Sequence, residues 1–218
     1  MAATAMPAEL EAARFAGNLW AAIRTAGGPH APGREARHLA GALDAAWLAS
    51  LPLPAGQHRP ASQPAALIDA RHEKPERHLD QAALERAYAL RPRTQVLEDI
   101  AHGQPDAWYA LAAWHLTRLS GSGLHVTCTI YWSRHGDETF GRHRDTWYGA
   151  VVQAAGVKDW LTGEGLPGGT GTPARQVTTQ AGDILLLPKY LPHVVTTPAD
   201  PGHSVHLAFA IDRDEPPP

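Results

Sequence analysis

After Gly121 the apolar residues recur at every second position, and this change of period constrains the fold more than any other feature of the chain. Leu124, Val126, Cys128, Ile130 and Trp132 alternate with His125, Thr127, Thr129, Tyr131 and Ser133, so one strand presents an apolar face and a polar face. Further strands are expected at 147–154, 157–161, 176–179, 183–187, 193–196 and 204–211. No helical pattern interrupts these short segments. A parallel sheet, which needs a crossover of about a dozen residues for every strand pair, is thereby excluded. An antiparallel sandwich or barrel remains.

The preceding residues follow a different grammar. Leu10, Phe15, Leu19, Trp20 and Ile23 are spaced for a helix over 8–26, and further helices are expected at 35–51, 79–90 and 105–119, the last tolerating Pro105 in its first turn. Residues 52–64, rich in Pro, Gln, Ser and Gly, read as a loop, and 93–97 as a short strand. The expected class is therefore α+β. A mainly helical region (1–120) packs on a β-barrel core (121–213), followed by a flexible tail (214–218).

Composition narrows the partners. A net charge of -3 provides no broad basic surface for nucleic-acid phosphates. The single Cys128 permits neither an internal disulfide nor a cysteine-rich zinc site, and its place on an apolar strand face makes it a buried thiol rather than a nucleophile. The start MAATAMPAEL lacks the features of a signal peptide and no apolar run is long enough to span a membrane, so the expected location is cytoplasmic. The segment GEGLPG at 163–168 matches a dinucleotide-binding spacing, but it contains Pro167 and opens no helix. It reads as a loop between barrel strands.

Thirteen histidines are an excess, and spacing decides which of them matter. In TFGRHRDTW, His143 and Asp145 stand two apart, which on a strand puts them on one face. A third ligand is offered by His193, which opens a strand after a Pro-punctuated turn in GDILLLPKYLPHVV. Two imidazoles and one carboxylate on one face of an octahedral ion form the triad used by non-haem Fe(II) oxygenases.

The surroundings of these three residues strengthen that reading. From Gly182 the order is Gly, five residues, Pro188, one residue, Tyr190, two residues, His193. It resembles the second cupin motif, with Tyr190 in place of an inner Gly. The run from Leu124 to Ile211 resembles the JmjC-type cupin family of Fe(II)- and 2-oxoglutarate-dependent hydroxylases, through Phe140, Gly141, His143, Asp145, Gly156, Lys158, Trp160, Gly182, Asp183, Pro188, His193 and the strand Ser204 to Phe209. That resemblance implies a double-stranded β-helix, or jelly-roll, with His143, Asp145 and His193 on iron, and with 2-oxoglutarate and O2 as cosubstrates. Lys158, fifteen positions after the first metal His, would bind the distal carboxylate of 2-oxoglutarate. Thr129 and Tyr131 would donate hydrogen bonds to the cosubstrate, and Ser204 and His206 lie where the family holds the metal-proximal carboxylate. Of the other histidines, His125 and His135 are also candidates near the site.

The resemblance further implies hydroxylation of an unactivated C–H bond, first at the β-carbon of a side chain in a peptide, as in natural-product tailoring, or in a protein. A small-molecule substrate ranks below these. The rival is a cupin without redox chemistry, serving as a ligand-binding module or a metal-dependent isomerase. Asp145 and Lys158 tell against it, because such proteins usually use more His ligands and have no need of a cation at Lys158.

Overall fold

A computed structural model of the protein describes residues 8–29, 35–53, 65–70, 75–98, 107–121, 124–163 and 174–211. The elements are α1 (Ala8–Thr25), β1 (Arg37–Leu39), α2 (Ala45–Ser50), β2 (Ala65–Ile68), β3 (Glu76–His78), α3 (Gln81–Leu90), β4 (Thr94–Leu97) and α4 (Trp108–Ser120). They continue as β5 (Val126–Arg134), β6 (Tyr148–Thr162), β7 (Arg175–Gln180), β8 (Ile184–Leu187), β9 (His193–Thr196) and β10 (His203–Ile211). The strands form one antiparallel system in the order β1-β8-β6-β10-β5-β4-β2-β3, with β7 and β9 on β6.

The jelly-roll expectation holds, and β6 shows how the sheet folds over. Gly149 to Val152 pair with β8, whereas the later residues Asp159 to Thr162 pair with β7 and β9. Two expected strands, 147–154 and 157–161, are thus one long strand that changes partners near Gly156. This glycine has φ +65°, and a Cβ there would lie 2.0 Å from the His203 carbonyl oxygen. A side chain cannot be placed there without moving backbone.

Alternation then sorts the side chains. Cys128 and Ile130 of β5, Ala150 and Val152 of β6, and Leu207 and Phe209 of β10 face the helices. Against them pack Ala12, Phe15, Ala16, Leu19 and Ile23 of α1, buried at helical spacing, and Trp108, Tyr109 and Leu116 of α4. Phe15 is the hinge pin of this layer, with ring centroids 5.1 Å from Trp108 and 5.5 Å from Phe209. The intervening residues, among them Val151, Leu185, Leu187 and Ala208, point into the barrel.

Two expectations change. The helix expected at 35–51 is only α2, capped at its start by the Asp44 carboxylate on the backbone N–H groups of Ala46 and Trp47. Its first part is β1, which pairs with β8 and is clipped by Asp183, whose carboxylate accepts from Gly41 N and bonds the His38 ring. Second, the mainly helical region 1–120 adds β2 and β3, which were not expected, to the expected strand at 93–97, here β4, and together they extend the barrel sheet from β5. All four residues of β2 are buried, so no alternation announces it. The loop 164–173 and the tail 214–218 lie outside the described residues. Among the described residues no helix is long and apolar enough to cross a membrane.

Candidate metal centre

His143 and His193 face each other across a two-residue bridge in which each backbone N–H donates to the other's carbonyl at 3.0 Å. Their ring centroids lie 4.2 Å apart. The Asp145 carboxylate closes the group, 3.9 Å from His143 Nε2 and 3.6 Å from His193 Nε2. Candidate donor atoms on all three residues fall within 4.8 Å of one another.

The tautomers are set by backbone. His143 Nδ1–H donates to Gly141 O at 2.9 Å, and His193 Nδ1–H donates to Leu191 O at 3.0 Å. A carbonyl only accepts, so in each neutral ring the lone pair sits on Nε2, the nitrogen nearer Asp145. Asp145 is held in turn by its own carbonyl, which accepts from Tyr190 N at 2.7 Å. Tyr190 has φ 61° and is the one non-glycine at positive φ among the described residues. The turn keeps the left-handed geometry that the inner Gly of the cupin motif would supply without strain.

Burial pushes the Asp145 carboxyl up to about 6, against the pull of His143. Burial, and then the neighbouring His143, push the His193 imidazole down to about 4. The donor set, two imidazole Nε2 atoms and a carboxylate on one side, fits a divalent ion with coordination positions left over.

These three residues line a cavity of about 90 Å³ whose wall also includes Tyr131, Phe140, Trp147, Trp160, Lys158 and His206. Lys158 is fully buried, and burial pushes its ammonium down to about 8, opposed by the charge on Asp137. It donates to Ser133 Oγ at 2.7 Å and Thr197 Oγ1 at 3.0 Å. Among the described residues no carboxylate pairs with it, which leaves a buried cation at the wall of a cavity. His206 stacks on Tyr131 at 4.7 Å and meets Trp160 edge-on at 5.5 Å. Burial and Lys158 hold its imidazole well below the usual range.

The structure therefore brings together His143, Asp145, His193, Lys158, Tyr131 and His206. Thr129 and Ser204 do not line the cavity; Ser204 Oγ accepts from Gln153 Nε2 at 2.9 Å in the barrel wall. His125 and His135 are exposed. Sequence reasoning missed Ser133 and Thr197 as partners of Lys158. The signal was there, since Ser133 shares a strand face with Tyr131, and Thr197 is two positions beyond Val195 and four beyond His193.

A family model described as the JmjC domain matches residues 107–215, half of the chain. The chain belongs to the JmjC domain family. No curated protein sequence matches it. Among solved structures the chain resembles YcfD, a ribosomal oxygenase from Escherichia coli, at 16% identity and TM-score 0.55 over 84% of this chain and 48% of that one. A YcfD structure in complex with cobalt and 2-oxoglutarate matches at 16% identity and TM-score 0.53, covering 90% of this chain and 52% of the other. A third, with cobalt and succinic acid, matches at 13% identity and TM-score 0.56, over 90% and 52% respectively. At these identities the likeness carries the fold alone, and the chain spans about half the length of the structures it matches. Within the JmjC domain match lie the metal-ligand candidates and Lys158, whereas β1 to β4 lie outside it.

Proposed function

We propose that the protein is an Fe(II)- and 2-oxoglutarate-dependent oxygenase that hydroxylates a C–H bond, first at the β-carbon of a side chain in a peptide or protein. The observation that carries this reading is the presence, in one cavity, of the His143–Asp145–His193 group and a buried Lys158 that pairs with no carboxylate among the described residues. A ligand-binding cupin would gain nothing from burying that ammonium, whereas a dicarboxylate needs a cation at its far end.

Bound there, Fe(II) with 2-oxoglutarate and O2 supplies oxidative decarboxylation, giving succinate, CO2 and one oxygen atom for the substrate C–H bond. His143, Asp145 and His193 hold the ion. Lys158, backed by Ser133 and Thr197, binds the distal carboxylate, and Tyr131 lies alongside. Phe140, Trp147 and Trp160 exclude water from around the reacting bond. Relatives that are ribosomal oxygenases support a protein or peptide substrate over a free small molecule.

Anaerobic titration with Fe(II) and then 2-oxoglutarate tests the proposal. A weak visible charge-transfer band is expected on adding the cosubstrate, with succinate formed once air is admitted. His143→Ala should abolish both. A protein that takes up no Fe(II), or takes it up without binding 2-oxoglutarate, would overturn the reading.

A further inference from the structure

Three buried side-chain atoms among the described residues have no hydrogen-bond partner: Gln81 Oε1, Thr94 Oγ1 and His206 Nδ1. Two of the three, on Thr94 and His206, belong to residues that line the cavity of the metal centre. Buried orphans are rare in folded proteins because each one costs desolvation without a compensating bond. Both residues line one cavity, so a ligand bound there is a candidate partner for these two atoms. His206 lies beside Lys158 and Tyr131, on the side argued above to hold the cosubstrate. Thr94 comes from β4, outside the JmjC domain match.

Thr94 is firmly placed. Its backbone N–H donates to Glu138 O at 2.7 Å, and it pairs with Ile68 of β2, which also lines the cavity. Ile68 packs in one cluster with Phe140, whose ring lies 5.4 Å from that of His143. Thr94 is 2% exposed, and among the hydroxyl-bearing residues Thr94, Tyr131 and Thr139 that line the cavity its hydroxyl is the buried one without a partner. The charged groups lining the cavity among the described residues are Lys158 and the ligand candidate Asp145. An ammonium or guanidinium entering here would find no carboxylate among the described lining residues other than Asp145.

We propose that Thr94 and Ile68 form the substrate subsite of this oxygenase, and that it takes a neutral hydrogen-bonding side chain, a carboxamide or a hydroxyl, rather than a basic one. The proposal rests on the oxygenase reading. A hydroxyl both donates and accepts, so Thr94 serves either group. Ile68 and Phe140 would pack against the aliphatic part of the same side chain.

The test uses the full chain loaded with Mn(II) and 2-oxoglutarate, and reads the relaxation enhancement that the metal imposes on N-acetyl methylamides of asparagine, glutamine, threonine, leucine, lysine and arginine. The neutral polar probes should bind at least ~10-fold more tightly than lysine and arginine. Thr94→Val should weaken the neutral polar probes roughly 2- to 10-fold and leave leucine unchanged, while Thr94→Ser keeps their affinity. Tighter binding of the basic probes, an unchanged profile in Thr94→Val, or no enhancement of any probe would overturn the proposal. Mn(II) and 2-oxoglutarate uptake, measured first on the same sample, separates this failure from failure of the oxygenase reading, which predicts that both bind.

Discussion

Lys158→Met should make the protein more stable and useless as a 2-oxoglutarate binder. In the native chain burial lowers the ammonium from 10.5 to about 8. At about 1.36 kcal/mol per pH unit, keeping that charge inside the fold costs about 3 kcal/mol at pH 7. The sign follows from proton counting. Between pH 8 and 10.5 the unfolded chain keeps a proton that the folded chain has lost, so native stability climbs across this window and carries the full penalty below it. Methionine fills the same space without the charge. The two hydroxyls it abandons still bond each other, Ser133 Oγ to Thr197 Oγ1 at 2.7 Å, so little of the gain is returned. The variant should therefore gain about 1–3 kcal/mol at pH 7, roughly 3 to 10 °C in Tm for a chain of this size, and lose the climb above pH 8. Urea denaturation of the metal-free protein at pH 7 and pH 10 measures both, and calorimetry should show 2-oxoglutarate binding weakened on the order of 100-fold. A variant that is less stable than the native protein, with cosubstrate affinity intact, would show that Lys158 is structural.

Other substitutions separate the ligand group from its scaffold. Asp145→Ala removes the carboxylate between the two Nε2 atoms and should lower Co(II) affinity by about 100-fold or more, read by calorimetry, with the fold unchanged by circular dichroism. Tyr190→Gly relieves a positive φ of 61° and should raise stability by about 1 kcal/mol in urea; a loss would mean that the exposed ring makes contacts outweighing the strain. Gly156→Ala, whose new Cβ would sit 2.0 Å from the His203 carbonyl oxygen, should cost about 3 kcal/mol or more and weaken 2-oxoglutarate binding, because Lys158 lies two residues along the displaced strand.

The parts of the fold that were legible in the sequence are those where one face is wet or polar and the other dry. β5 and β10 read correctly because Cys128, Ile130, Leu207 and Phe209 go to the helices while Tyr131 and His206 go to the cavity and Ser133 to Lys158. β2 carried no such pattern, being buried on both faces. The segment 35–51 carried a misleading one, because β1 is defined by its pairing with β8 and by the distant Asp183 carboxylate, neither of which is local. The same division holds at the site. His143 and Asp145 were visible from their spacing of two, His193 from its place after the Pro188 turn, and Lys158 because the family resemblance fixes its distance from His143. Thr94 and Ile68 reach the cavity through the pairings Ile68 with Thr94 and Gln95 with Trp132, between residues far apart in the chain, which local spacing does not encode. Ser204 was expected at the site for its place on the last strand, yet its hydroxyl is taken by Gln153.

The claim on which the account turns is that one ion and one dicarboxylate span the distance from the His143–Asp145–His193 group to Lys158. Crystals grown with Co(II) and 2-oxoglutarate and measured at the cobalt absorption edge test it directly. The account predicts a single strong anomalous peak about 2.0–2.2 Å from both Nε2 atoms and an Asp145 oxygen, with the far carboxylate of 2-oxoglutarate within hydrogen-bond distance of Lys158 Nζ. A peak elsewhere, or a dicarboxylate that leaves Lys158 without a partner, would contradict it.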